Sequence, residues 1–248
     1  MGELTVDYML KSKDLQKPGE DFRYLLNRGY PRKAALEWVG NRYQLTSDQR
    51  HLLHRGVFSD ADSESRRKRK IPIERIRNKY FVIDGYNVII RIEAGLSGRP
   101  LILGDDGFIR DISGLSGNFR KTEGTREAIQ LILYILKRVK PRQTLFLFDA
   151  PISMSGKLAQ EVRDFFKKEN LFGDARAVKV PEKILIGFPG VIATSDTAII
   201  DQSKQVVDLA GSVIKKIIKP EFLLRLSKRS RIHPSSKSLR QNSKAQMR

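Results

Sequence analysis

A chain of 248 residues with 40% hydrophobic content is long enough for one large domain, or a small and a medium one, and its composition excludes wholesale disorder. With no cysteine and three histidines it has no disulfide, cysteine nucleophile or thiolate-bound metal, and no histidine-rich zinc centre is expected. A formal net charge of +19 favours polyanionic partners, nucleic acid ahead of ribosomes or anionic lipid, with a merely basic surface as the plain alternative.

The N-terminus "MGELTVDYMLKSKDLQ" lacks the basic-then-apolar order of an export signal. No apolar run reaches the roughly 18 residues of a membrane span, so no membrane contact and a cytoplasmic location are expected. In "GEDFRYLLNRGY", Phe22, Leu25 and Leu26 share one helical face and Gly29 supplies a stop. Pro31 opens a second helix, "PRKAALEWVGNRY", and Thr46 or Ser47 caps a third, "TSDQRHLLHRGVF". Residues 1–60 are thus expected to form a small all-α domain, too small to bury much alone and so leaning on the rest. The following "SDADSESRRKRKIP" passes from acids and serines into five consecutive basic residues, 66–70. It reads as a basic linker over 61–76, either simply solvated or a phosphate-binding arm.

From there strands and helices alternate. Tyr80–Asp84 is a buried strand, and "RPLILGDDGFIRDIS" a β-hairpin turning at Asp105, Asp106 and Gly107. "TEGTREAIQLILYILKRVK" is a long helix stopped by Pro141. "QTLFLFDAP" is a strand, "SGKLAQEVRDFFKKEN" a helix, "ARAVKV" a strand, "GVIATSDTAIIDQ" a strand with a short helix, and "KQVVDLAGSVIKKIIKP" a last strand and helix. Apolar strands alternating with helices predict an α/β domain over 77–227 whose mainly parallel central sheet is covered on both faces. The tail, 228–248, carries lysine and arginine without aspartate or glutamate and is expected to be disordered.

"YFVIDG", "LFLFDAP" and "VIATSD" each end an apolar run on an aspartate: Asp84, Asp149 and Asp196. In a parallel sheet all such ends lie on one edge, where ligands bind at the topological switch point. Converging carboxylates stay ionised together when a cation lies between them, and oxygen ligands favour Mg²⁺ or Mn²⁺. Such an ion lowers the pKa of water and neutralises charge on a phosphodiester, which points to phosphodiester hydrolysis. For any one aspartate, capping the following helix is the plainer reading, and for Asp208 it is the better one. Asp201 is either an outer ligand of the same site or a surface residue. Ser153 and Ser155, before a helix, form either an anion site or a cap. Arg120 and Arg126, near the start of the long helix, either touch a nucleic-acid backbone or are surface charges.

"FVIDGYNVI", with "TLFLFDAP" and "VIATSD", resembles the PIN-like nucleases, in particular their NYN branch, over roughly residues 79–219. "LLNRGYPRKAALEWVGNRYQL" is similar to the N-terminal part of an archaeal family that joins a small helical domain to a PIN-like one, a likeness that implies architecture more than activity. The resemblance implies a three-layer α/β/α domain in which Asp84, Asp149 and Asp196 bind metal and Asn87 positions the scissile phosphate or a water. It further implies that Thr194 and Ser195 support the loop and contact phosphate. A further acid from the long helix would be Glu123 or Glu127, and the hairpin around Gly107 is an insertion able to narrow the site.

Other classes fit less well. A haloacid-dehalogenase-like phosphatase needs an acid where Tyr86 stands, "DGYNVI" is no G-x-G-x-x-G turn, and no G-x-S-x-G is present. The expectation is a Mg²⁺- or Mn²⁺-dependent ribonuclease, with RNA the preferred partner and a homodimer left open. The competing expectation is a non-catalytic RNA-binding protein on the same scaffold.

Overall fold

The computed structural model describes residues 15–112, 121–220 and 223–226, so Arg120 and the tail at 228–248 lie outside the described residues. The first three helices of the described residues form where spacing and caps predict them: α1 (Gln16–Asn27), α2 (Arg32–Arg42) and α3 (Ser47–Gly56). Gly29 turns the chain with a φ of +79°, a conformation that costs other residues more. Thr46 caps α3 in a reciprocal box: its Oγ1 accepts from the Gln49 N–H at 3.3 Å, and its own N–H donates to Gln49 Oε1 at 2.9 Å.

The stretch expected to be a linker is a fourth helix, α4 (Asp60–Arg69). Ser59 caps it, Asp60 and Asp62 occupy its first turn, and Arg66, Arg67, Lys68 and Arg69 its last. Acids at the start and cations at the end suit the helix dipole, so the charge step that reads as linker composition is a helix's own polarity. Arg66 is buried, with its guanidinium 4.7 Å from the centre of the Phe58 ring.

A single 3₁₀ turn (Ile73–Ile76) leads into β1 (Tyr80–Asp84), and α5 (Gly85–Leu96) follows with no loop between them. The hairpin is β2 (Leu101–Leu103) with β3 (Ile109–Asp111), paired antiparallel, Leu103 opposite Ile109. Then come α6 (Glu123–Val139), β4 (Gln143–Asp149), α7 (Ser155–Lys168), β5 (Gly173–Val178), α8 (Pro181–Ile186), β6 (Val191–Ala193), α9 (Thr197–Gln202), β7 (Val206–Val207), α10 (Leu209–Val213) with a π-helical extension, and β8 (Leu224–Arg225).

The main sheet has the order β5-β4-β1-β6-β7, and every pairing in it is parallel. Alternate residues of β1 serve opposite faces. Phe81 and Ile83 join the large core under α5, α6, α7 and α10, while Val82 meets Leu185 of α8 and Ile199 of α9 on the other side. The domain is therefore a three-layer α/β/α unit, as expected. No helix among the described residues is long and apolar enough to cross a membrane.

The second, smaller sheet has the order β3-β2-β8. Ile102, Ile112, Leu224 and Leu226 from its region share one core with Phe22, Leu52, Leu53 and Val57 of the helical part. The expectation that the helical part leans on its neighbour is realised through this sheet. The hairpin turn is tied to the same helices: Asp105 Oδ2 accepts from Arg23 Nε at 2.9 Å and from the Phe58 N–H at 3.2 Å.

Candidate active site at the carboxyl edge of the sheet

In this strand order the chain moves outward from β1 through β4 to β5, then returns to lay β6 against the other side of β1. The switch point therefore lies between β1 and β6, where ligands of open α/β sheets bind. Asp84 ends β1, opposite Leu147 of β4, so Asp149 stands two residues further along the adjacent strand. On the other side Ile83 is opposite Ala193, the last residue of β6, and Thr194, Ser195 and Asp196 follow at once.

Gly85 makes this corner possible. A Cβ there would lie 2.4 Å from the Phe148 ring and 2.7 Å from the Leu147 carbonyl oxygen, so only glycine lets α5 leave β1 this close to β4.

Asp84 is half-buried and accepts from Thr194 Oγ1 at 2.8 Å. Burial pushes its carboxyl up to about 7; the Thr194 bond and the Arg91 charge oppose this, and the Asp196 and Asp149 carboxylates add to it. Thr194 Oγ1 also accepts the Asp196 N–H at 3.1 Å, so one hydroxyl couples two of the acids. Burial also raises Asp149, with a smaller push in the same direction from a further acid, Glu182 of α8. Asp196 is exposed and caps α9, its Oδ1 accepting from the Ala198 and Ile199 N–H groups. The capping role and the edge position coexist in this residue.

Asn87 has a more structural task than expected. Its Oδ1 accepts from Arg91 Nη2 at 2.8 Å, the Ser195 N–H at 2.9 Å and Ser195 Oγ at 3.3 Å. The oxygen thus fastens the loop after β6 to α5, and both the Ser195 N–H and its hydroxyl donate to it. The Ser195 carbonyl accepts from Arg110 Nε at 3.1 Å, which is how the hairpin reaches the site.

The remaining expected residues divide. Asp201 does not join the edge: its carboxylate is held by Arg66 Nε at 2.7 Å and Nη2 at 2.8 Å, because α4 packs where a linker was expected. Ser155 is buried and donates to the Ala150 carbonyl at 3.2 Å, closing the β4–α7 loop, while Ser153 is exposed on that loop. Arg126 is exposed on α6, 3.8 Å from Glu161 and over the Phe165 ring, as a surface charge. At the start of α6, Glu123 is exposed.

Three residues beside the edge make contacts that sequence reasoning missed. Arg91, fully buried, donates to the Ile109 carbonyl and to Asp208 Oδ1, both at 3.0 Å, as well as to Asn87. Asp208 caps α10 as expected, through the Gly211 N–H at 2.9 Å, and also takes the Ile109 N–H at 2.9 Å. Burial pushes Asp208 up, but Lys70, Arg91 and those two N–H groups outweigh it and hold the carboxyl low. Tyr86 lies edge-on to Phe148 at 5.1 Å, its hydroxyl pushed up to about 12 by burial and by Asp149. The available signal was Arg91 itself, one charge inside the apolar run "NVIIRI" and one helical turn from Asn87.

The donor chemistry at this edge, carboxylate oxygens whose charge burial and mutual repulsion disfavour, fits a hard divalent cation. Among the described residues, however, no group of three or more histidine, aspartate or glutamate side chains is gathered closely enough to hold one ion in common.

The fold and the edge define an α/β protein with a five-stranded parallel sheet and an acidic switch point, preceded by helices that share its secondary core. The chain belongs to the family described as "Domain of unknown function (DUF5616)", which matches residues 73–212. Residues 14–69 match the family described as "Protein of unknown function (DUF434)". The chain is similar to "Uncharacterized protein MJ0935" of Methanocaldococcus jannaschii, 35% identical over 207 residues that cover 83% of this chain and 99% of that protein. No solved structure matches.

Proposed function

We propose that this protein is a Mg²⁺- or Mn²⁺-dependent phosphodiester hydrolase acting on RNA at the carboxyl edge of its sheet. The observation that carries the reading is positional: three adjacent strands, β4, β1 and β6, each deliver an aspartate to one edge beside the switch point. Asp84, Asp149 and Asp196 are the carboxylates that would hold the cation, which would supply charge neutralisation at the phosphodiester and an activated water. Thr194 fixes the orientation of Asp84, and Asn87 with Arg91 fixes the Ser195 loop against α5. Burial pushes the Asp84 carboxyl up to about 7, and a cation held there would favour its ionised form. The net charge of +19 supplies affinity for the polyanion, and the preference for RNA comes from the likeness to NYN-type PIN nucleases.

A non-catalytic RNA-binding role is the second reading, supported by the occupied Asn87 oxygen and by the lack of a gathered three-ligand group among the described residues. One experiment separates the two. Purified protein is incubated with RNA and Mn²⁺ or Mg²⁺, alongside Asp84→Asn and Asp149→Asn. Cleavage by the wild type that both variants lose while still binding RNA supports hydrolysis. Equal cleavage by all three sinks the mechanism, and binding without cleavage by the wild type leaves the second reading.

A further inference from the structure

The helical part presents to solvent aromatic rings that its own core does not use. Trp38, the only tryptophan of the chain, is 52% exposed, Tyr30 43% and Tyr24 56%. Tyr30 and Trp38 meet edge-to-face with centroids 5.5 Å apart, and the Arg28 guanidinium lies 4.8 Å from the centre of the Tyr24 ring. The buried sides of the two helices are made by other residues, Phe22 on α1 and Ala35 and Val39 on α2. Single exposed apolar residues are ordinary, but three large rings within fifteen residues need a reason.

The charges around them supply one. Between residues 24 and 43 the chain carries Arg28, Arg32, Lys33 and Arg42 against a single acid, Glu37. Arg32 is turned inward, over the Phe22 and Phe58 rings and donating to the Val57 carbonyl at 2.7 Å. Arg28, Lys33 and Arg42 are exposed, Arg28 over the Tyr24 ring and Arg42 over the Tyr43 ring, where it also lies 3.9 Å from Asp21. Flat π faces interleaved with cations match one polymer chemistry: unpaired bases, which stack on the rings, joined by phosphates that the cations neutralise. A duplex keeps its bases stacked inside, and an apolar peptide surface gains nothing from the surrounding positive charge.

We infer that the exposed α1–α2 face is a stacking platform for single-stranded RNA, centred on Trp38. It shares with the proposed function the nucleic-acid ligand and none of the chemistry, since it lies on the helical part and uses no carboxylate.

The single tryptophan makes the test direct, because all indole emission comes from the platform. The full chain is titrated with an oligouridine of about a dozen nucleotides, and with an RNA duplex of equal phosphate concentration, in EDTA so that no cleavage intervenes. The single strand should quench the emission saturably and the duplex far less. Trp38→Ala should weaken binding of the single strand about tenfold, and Trp38→Phe, which keeps a ring, by less than about threefold. Trp38→Ala with wild-type affinity, oligouridine binding without a change in emission, equal quenching by duplex, or no binding at all would each overturn the inference. Because divalent cations are absent, failure of cleavage leaves this result unaffected, and failure here leaves the cleavage assay to stand or fall by itself.

Discussion

Replacing Asp84 by asparagine should stabilise the protein above neutral pH. A carboxyl raised from 3.8 to about 7 in the folded chain is protonated there over a range in which the unfolded chain leaves it ionised. Its contribution to stability is therefore complete below the lower value and is lost as pH rises through the higher one. At about 1.4 kcal/mol per pKa step, the gap sets a ceiling of about 4 kcal/mol. The side chain is only half-buried, so solvent screening brings the expected effect to about 2 kcal/mol. Asparagine keeps the size and can still accept from Thr194 Oγ1 while carrying no charge. The assay is urea denaturation of the wild type and Asp84→Asn between pH 5 and pH 8.5, without divalent cations. The variant should gain on the wild type as pH rises, and Mn²⁺ should close the gap by stabilising only the wild type. Parallel pH profiles, or a variant less stable than wild type at pH 8, would show that Asp84 is not held against its charge, and the electrostatic account of the edge would fail.

Three further substitutions probe the surroundings. Gly85→Ala should cost about 1–3 kcal/mol in chemical denaturation, because its Cβ would meet the Phe148 ring and the Leu147 carbonyl; wild-type stability would mean that the corner between β1 and α5 yields easily. Asp201→Asn should cost about 1–3 kcal/mol by leaving the buried Arg66 guanidinium short of a partner, while leaving metal-dependent cleavage unchanged; a loss of cleavage in a folded variant would return Asp201 to the site. Arg91→Met should cost about 3–5 kcal/mol, since Asp208 and the Asn87 oxygen both lose a buried donor, and thermal denaturation reads this directly.

The strand-end aspartates were legible because each closes an apolar run, and a parallel sheet turns that local pattern into a shared edge. The hairpin was legible for a similar reason, in its turn residues. The helix α5 was not: nine of its twelve residues are buried, Arg91 among them, so "GYNVIIRIEAGL" shows no polar face to reveal a helical period. The charge run at 66–70 misled because composition alone cannot distinguish a solvated linker from a helix whose arginine is neutralised by Asp201, 135 residues away in sequence. Distance in sequence also hid the bonds that tie Ser195 to Asn87.

The two family matches meet near residue 70, and there the polypeptide is sewn instead of parted. Lys70 bridges to Val206, the Ile71 N–H donates to the Val206 carbonyl at 2.9 Å, and Lys70 Nζ reaches Asp208 at 3.4 Å. A protein cut at that boundary would bare Ile102, Ile112, Leu224 and Leu226 to water and strip Asp208, the anchor of Arg91, of one of its cations. The two halves are joined by that bridge and by a shared core. From Lys70 at the end of α4, Asp208 and Arg91 lead by direct contact to Asn87, which holds the loop carrying Ser195 and Asp196.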